Sequence, residues 1–301
     1  MSSTDHIRGR TNSGRWNRLR PVTQDPLEAI GWPSKGDNNL PREEVANMAN
    51  GLLDYKIQEN FYTRIVERYM AFCSDASQGD ELIRRLARMS LSTTILEPNS
   101  ERTDNSEKDI GILMMAMRKL REGIIASRRI DDFSIQAFIF SVRLSISVKH
   151  MESFHPAILH LLKRMHPVQP LASTERQELV SYLVLDLACR QDELAEAFFV
   201  RNQYQIHDAK VDAALKALAH DNFVLFWKVK RTVDGHRAKL MEFAEDAMCR
   251  HTLKCLGRSY LMMDLSSVEN YTQTTWHSLT QNFGVGWQLE DRNVIIRKRK
   301  T

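Results

Sequence analysis

The chain has 301 residues, of which 12 are Gly and 8 are Pro, and its formal net charge is +4. Together Gly and Pro run at about half their usual ~12% share. Folds that turn at short fixed intervals (sandwich, barrel, propeller) are therefore excluded, and glycine-dependent phosphate loops nearly so.

With 43% apolar and 27% charged residues the chain can bury a real core, and no stretch approaches the ~18 uncharged apolar residues of a membrane span. The start, MSSTDHIRGR, lacks the apolar centre of a secretory signal, so disulfides between Cys73, Cys189, Cys249 and Cys255 are not expected. The charge is uneven. Residues 1–20 hold five Arg against Asp5, a local +4, and Arg297, Lys298, Arg299 and Lys300 add another +4. The stretch 21–296 therefore sums to −4. Basic ends on a mildly acidic body suit nucleic-acid contact or nuclear import.

In chain order, residues 1–41 read as a disordered basic leader, with Trp16, Leu27, Ile30 and Trp32 as its apolar exceptions. Pro41 followed by Arg42, Glu43 and Glu44 suits a helix start. The stripe Val45, Met48, Leu52, Leu53, then Ile57, Phe61, Ile65, Tyr69 and Phe72, has helical spacing. Gln78-Gly79 breaks it; Leu82, Ile83, Leu86 and Met89 predict a short helix, and 92–106 a polar loop ending in the cap Ser106. Further helices are predicted over 107–128, 132–149 and 154–166, from Ser173 through Leu187, and over 191–204, 208–219, 222–233 and 236–262. The pattern is all-α: a right-handed, TPR-like array of antiparallel helix pairs, without a strict sequence repeat.

The last forty residues differ. Val268, Tyr271, Trp276, Leu279 and Phe283 predict one amphipathic helix, and Gly284-Val285-Gly286 breaks it. Trp287 to Glu290 alternates, Asp291-Arg292-Asn293 reads as a turn, and Val294 to Arg297 is β-rich, giving a small β-hairpin. Helices followed by a two-stranded wing are the outline of a C-terminal winged helix. The predicted organisation is thus a leader over 1–41, a helical array over 42–263 and a winged-helix end with a basic tail over 264–301.

No nucleotide, zinc-protease, hydrolase or calcium motif is present. The carboxylate pairs Glu43-Glu44 and Asp131-Asp132 stand at helix starts, where capping accounts for them. Cys249, His251 and Cys255 lie close in sequence but lack a second half-site, so they read as helix residues and not as a metal site. The same holds for His155, His160 and His166. The expectation is a protein without enzymatic activity, cofactor or metal.

The stretch from Gln177 carries a resemblance. It runs QELVSYLVLDLACRQDELAEAFFVRNQY, then DAKVDAALKALAHDNFVLFWKVKRTV, then RAKLMEFAEDAMCRHTLKCLGRSYL. Ala217-Leu218, Asn222-Phe223, Phe226-Trp227 and Arg250 with Leu253 resemble the packing signals of the PCI family, with Thr252 where that family often has Ala. PCI proteins are scaffold subunits of the proteasome lid, the signalosome, translation initiation factor three and mRNA-export assemblies. The likeness covers roughly 107–300 and is strongest to the GANP-type export branch. It implies a nuclear scaffold subunit, present also in the cytoplasm, whose partners are other PCI subunits, a small acidic disordered subunit and RNA or another single-stranded nucleic acid. The alternative it leaves is a lid, signalosome or initiation-factor subunit acting through protein contacts alone.

Two surfaces follow. Gln273, Thr274, His277 and Gln281 on the last helix, Arg292, Arg297, Lys298, Arg299 and Lys300 on the wing and tail, and Lys228, Lys230, Arg231, Arg237 and Lys239 are the candidate phosphate contacts. Tyr271, Trp276 and Trp287 are the candidate partner contacts.

Overall fold

The computed structural model describes residues 51–75 and 101–297. The leader 1–41, the helix start at Pro41, the short helix over 82–89 and the tail residues Lys298, Arg299 and Lys300 lie outside the described residues. What is described is mostly helical and ends in one small antiparallel sheet.

A 3-10 turn at Gly51–Leu53 leads into α1 (Tyr55–Asp75). There follow α2 (Glu101–Ala126), α3 (Asp132–Ser147) and α4 (Met151–His160), the last running into a π-turn at Leu161–Met165. Then come α5 (Ser173–Cys189), α6 (Leu194–Gln203), α7 (Ala209–Ala219), α8 (Phe223–Lys230) and α9 (Gly235–Met241). Each of α2, α4, α6 and α8 packs on the helix before it, and α9 returns across α5 and α3. The shared core runs from Leu52 and Phe61 through Leu120, Phe138, Ile158, Tyr182 and Leu215 to Phe226 and Met248. The α2 helix begins at Glu101, inside the predicted polar loop.

How a chain this poor in glycine turns so often is answered at its corners. Arg128, Lys149, Gln205 and Asp221 each stand two residues beyond a helix end with φ of 52°, 55°, 49° and 51°. In each, the next amide reaches back five residues: Arg129 N to Ile124 O (3.1 Å), His150 N to Ser145 O (2.8 Å), Ile206 N to Arg201 O (3.1 Å) and Asn222 N to Ala217 O (2.8 Å). This is the Schellman closure, which usually takes glycine because a left-handed conformation costs an L residue ~1–2 kcal/mol. The following helix is capped three residues later at Asp131 and Asp208, and immediately at His150 and Asn222. Long and short corners alternate along α2–α3–α4, and again along α6–α7–α8.

Two contacts fix α1. Arg129 is buried, and its guanidinium donates to Glu59 Oε1 (2.5 Å), Asp131 Oδ2 (2.6 Å) and the Tyr55 carbonyl (3.0 Å) while lying over the Tyr55 and Phe133 rings. Beside it, bridged to Arg129 by the Gln58 side chain, Leu52 sits on α2 at Gly123, where an added Cβ would come within 2.7 Å of Leu52 Cβ and 2.9 Å of its carbonyl oxygen.

The predicted helix over 236–262 is four elements: α9, a 3-10 turn at Glu242–Ala244, α10 (Glu245–Ser259) and a strand β1 (Met262–Asp264). The predicted helix over 268–283 is two, α11 (Leu265–Thr272) and α12 (Trp276–Asn282), parted at Gln273 with φ 53°. With β2 (Gln288–Glu290) and β3 (Asn293–Ile295) the expected hairpin becomes a three-stranded sheet of order β1-β3-β2, in which Val294 pairs with Met263 on one side and Leu289 on the other. Buried Cys249, Leu253, Val268, Leu279 and Val294 form a separate small core beneath it.

Gly123 and Gly111 are both interior to α2, but nothing lies within 4 Å of a Cβ built on Gly111. Gly123→Ala is expected to lower the free energy of unfolding by about 1–3 kcal/mol through overpacking against Leu52. Gly111→Ala is expected to raise it by about 0.5–1 kcal/mol. Urea melts of the two variants beside the wild type check both signs.

Candidate nucleic-acid and partner surfaces

The basic stretch from the end of α8 into α9 divides by its neighbours. Lys230, on the last turn of α8, is paired with Glu245 at the start of α10 and lies 5.9 Å from the centre of the Trp227 ring. Lys239 on α9 reaches Glu242 at 3.3 Å, and Lys149 reaches the same carboxylate at 2.8 Å. Arg237 is the most committed: it pairs with Asp208 at 3.1 Å and Asp234 at 3.3 Å and donates to Ser181 Oγ at 3.4 Å. Asp208 and Asp234 are the N-caps of α7 and α9, and Ser181 is on α5. One guanidinium thus joins three helices. Lys228 and Arg231 are exposed and have no ion pair among the described residues.

At the chain's far end Arg297 is also in use. Its Nε donates to the Gly257 carbonyl at 2.8 Å and Nη2 to the same oxygen, so the cation caps the carbonyl end of α10. Arg292 is exposed at the β2–β3 turn between Asp291 and Asn293. His277 is exposed on α12, while Gln273 sits at the corner before that helix and turns back to donate to the Asn270 carbonyl and side chain. From Asp264 to Arg297 the carboxylates Asp264, Glu269, Glu290 and Asp291 outnumber the two arginines, a net −2.

Among the three predicted partner contacts, Trp276 and Trp287 are half-buried and pack on the small core. Trp287 also lies 3.5 Å from where Gly257 would carry a Cβ. Tyr271 is exposed, and its ring meets Phe223 edge-on at 6.1 Å, joining α11 to α8. An apolar surface that sequence reading did not select lies at the sheet edge: Tyr260, Leu261 and Met262, the last 57% exposed, on and just before β1. Nothing in the periodicity separated them from a helix, because LGRSYLMM continues the spacing of α10.

No described helix is long and apolar enough to cross a membrane. Among the described residues no group of three or more His, Cys, Asp or Glu is placed to hold a metal ion. Compared with known proteins, the chain matches no family model and no curated protein.

The ion pairs carry a pH dependence. Burial alone would raise the Glu242 carboxyl, but the bond from Lys149 and the charges of Lys149, Lys239 and Lys230 outweigh it and hold the group below its ordinary range. The bidentate bond from Arg201 does the same for Asp212, against a smaller opposing effect of burial. Burial pushes the His236 imidazole below its ordinary value of 6.5, so the folded protein keeps it neutral where the unfolded chain would protonate. All three lowered values act in one direction: the unfolded state binds more protons, so stability rises with pH. Urea midpoints are expected to fall from pH 7 to 5.5 as His236 titrates in the unfolded chain, and further below about pH 4.5, where the carboxylates do.

A pair of substitutions separates structural from exposed cations. Arg237→Ala strands two capping carboxylates and is expected to cost about 2–4 kcal/mol. Lys228→Ala with Arg231→Ala is expected to stay within about 0.5 kcal/mol of wild type. Chemical denaturation of each variant decides the assignment.

Proposed function

We propose that this protein is a non-enzymatic scaffold subunit of a multiprotein complex, built as a PCI-type module: a helical array closed by a winged helix. The observation that carries the reading is the chain order α10-β1-α11-α12-β2-β3 with sheet order β1-β3-β2 over its own small core. That is the order of a winged helix, with β2 and β3 as the wing. The alternating long and short corners support the helical-repeat part.

In this reading the partner, another PCI-type subunit, docks at the sheet edge. Strand β1 has β3 on one side and no strand on the other among the described residues, and it carries Met262 with Tyr260 and Leu261 just before it. Unpaired backbone beside exposed apolar side chains is what a partner's strand or helix covers. The GANP-type likeness supports a complex of nuclear mRNA processing and export, with a small acidic disordered subunit among its members. The lid, signalosome and initiation-factor assignments belong to the same architecture.

Nucleic-acid contact is the second element of the reading. A net −2 over 264–297 does not itself attract phosphate, so the contact rests on Lys228, Arg231, Arg292 and the tail Lys298, Arg299 and Lys300, with His277 beside them. Lys230, Arg237, Lys239 and Arg297 already hold carboxylates or a helix end and are the weaker candidates.

Two measurements test the parts separately. Affinity purification of wild type and Met262→Asp, read by mass spectrometry, is expected to show PCI-type subunits with the first and their loss with the second, at unchanged thermal stability. Partners retained by Met262→Asp would remove the sheet edge as the contact. Retention on single-stranded RNA at rising salt is expected to fall when the chain is cut after Ile296, because each cation withdrawn from phosphate lowers the salt slope by about one. Equal binding of the cut chain would take the tail out of the proposal.

A further inference from the structure

Three side chains from two elements meet where the array joins the C-terminal module. Cys255 and His251 are four residues apart on α10, one above the other on a face of the helix. The Cys255 Sγ lies 3.2 Å from His251 Nε2. The other ring nitrogen, His251 Nδ1, lies 3.9 Å from Asp221 Oδ2. Asp221 is held there by the left-handed corner between α7 and α8, and not by α10 itself. The order is thiol, imidazole, carboxylate, the first two at bonding distance and the last two at ion-pair distance.

Each member has a chemical consequence. A thiolate, not a thiol, is the nucleophile, and an imidazole within bonding distance takes the proton. A carboxylate 3.9 Å from the far nitrogen stabilises, through its charge, the imidazolium once formed. The thiol and imidazole are half-buried and so reachable by a small reagent, whereas Cys189 and Cys249 are buried and burial pushes both thiols up. Arg258 follows Cys255 by three residues on the same helix, a further cation one turn away.

We propose that Cys255 is a site of reversible oxidative modification, activated by His251 and Asp221, whose oxidant is a small hydroperoxide. The Cys255 proton passes to His251 Nε2, and the thiolate attacks the outer oxygen of the peroxide. The S–O bond forms, the O–O bond breaks, and the departing alkoxide or hydroxide takes a proton back from the imidazolium. Sulfur is oxidised by two electrons to the sulfenic acid, and the peroxide is reduced to alcohol or water. A small thiol can then attack the sulfenic sulfur; an S–S bond forms and water leaves, and a second thiol restores Cys255. The site lies at the junction of α8, α10 and the corner before α8, so the bulk of a mixed disulfide would press on the seam between the array and the small C-terminal core.

The test uses the full chain and peptide-resolved mass spectrometry. Iodoacetamide alkylation at pH 7 is expected to be about tenfold faster at Cys255 than at Cys73, the other half-buried thiol, which serves as the internal standard. After brief hydrogen peroxide, dimedone is expected to label Cys255 and not Cys73. His251→Gln is expected to lower the Cys255 rate about tenfold, and Asp221→Asn to lower it by a smaller factor, with Cys73 unchanged in both. A Cys255 rate equal to that of Cys73, or unmoved by His251→Gln, overturns the proposal. Should His251→Gln label Cys189 and Cys249, the fold has opened, and Asp221→Asn, on an exposed corner, then decides in the same way.

Discussion

The guanidinium of Arg237 is the constraint on which the middle of the molecule depends. Two helices begin next to it, α7 at Asp208 and α9 at Asp234, and each leaves amide donors that its capping carboxylate accepts. Two carboxylates so close would repel. The cation between them removes that penalty and ties both caps to Ser181 on α5. The same solution recurs where Glu242 takes Lys149 and Lys239, and where Lys230 takes Glu245. Several cations that look like a phosphate-binding run in the sequence are therefore the means by which α9 and α10 are held to the array. A charge run records composition; whether it faces solvent is decided by which carboxylates the fold brings to it.

The helices themselves were legible. Apolar side chains at steps of three and four over α3, α5 and α7 predict helices that match the structure within a few residues, because the stripe is what the core buries. The Asp131 cap was legible too, and it forms a capping box with Ser134. Not legible were the corners. Arg128, Lys149, Gln205 and Asp221 adopt the conformation for which glycine is the usual marker, and their side chains give no sign of it. In the stretch from 124 to 234, which contains no glycine, the left-handed turns are enforced by the helices on either side, at a cost in backbone strain that packing offsets.

The C-terminal module was legible by half. Its second and third strands are next to each other in sequence and are joined by a turn with its own residue signature. Strand β1 has neither advantage. It lies some thirty residues from β3, its partner, and its residues Met262 and Met263 suit a helix as well as a strand. Only pairing across that distance makes it a strand, and pairing is not written locally. The candidate surface suffered accordingly. Tyr260 belongs to the apolar stripe of a helix if the helix continues, and with Leu261 and Met262 to an exposed edge if it stops at Ser259.

Charge and exposure together then order the two functional readings of this end. Phosphate binding needs a positive potential, and the described part of the module is net negative, with Glu290 and Asp291 immediately before Arg292 at the β2–β3 turn. Protein association needs apolar area and unpaired backbone, and the β1 edge offers both without any other part of the chain. Any affinity for nucleic acid must come chiefly from cations outside this surface, on the tail and at Lys228 and Arg231. Arg297 marks the divide. It is the first residue of the basic run, yet its guanidinium faces inward onto the Gly257 carbonyl, so the fold takes the first cation for the end of α10 and leaves those after it to the tail.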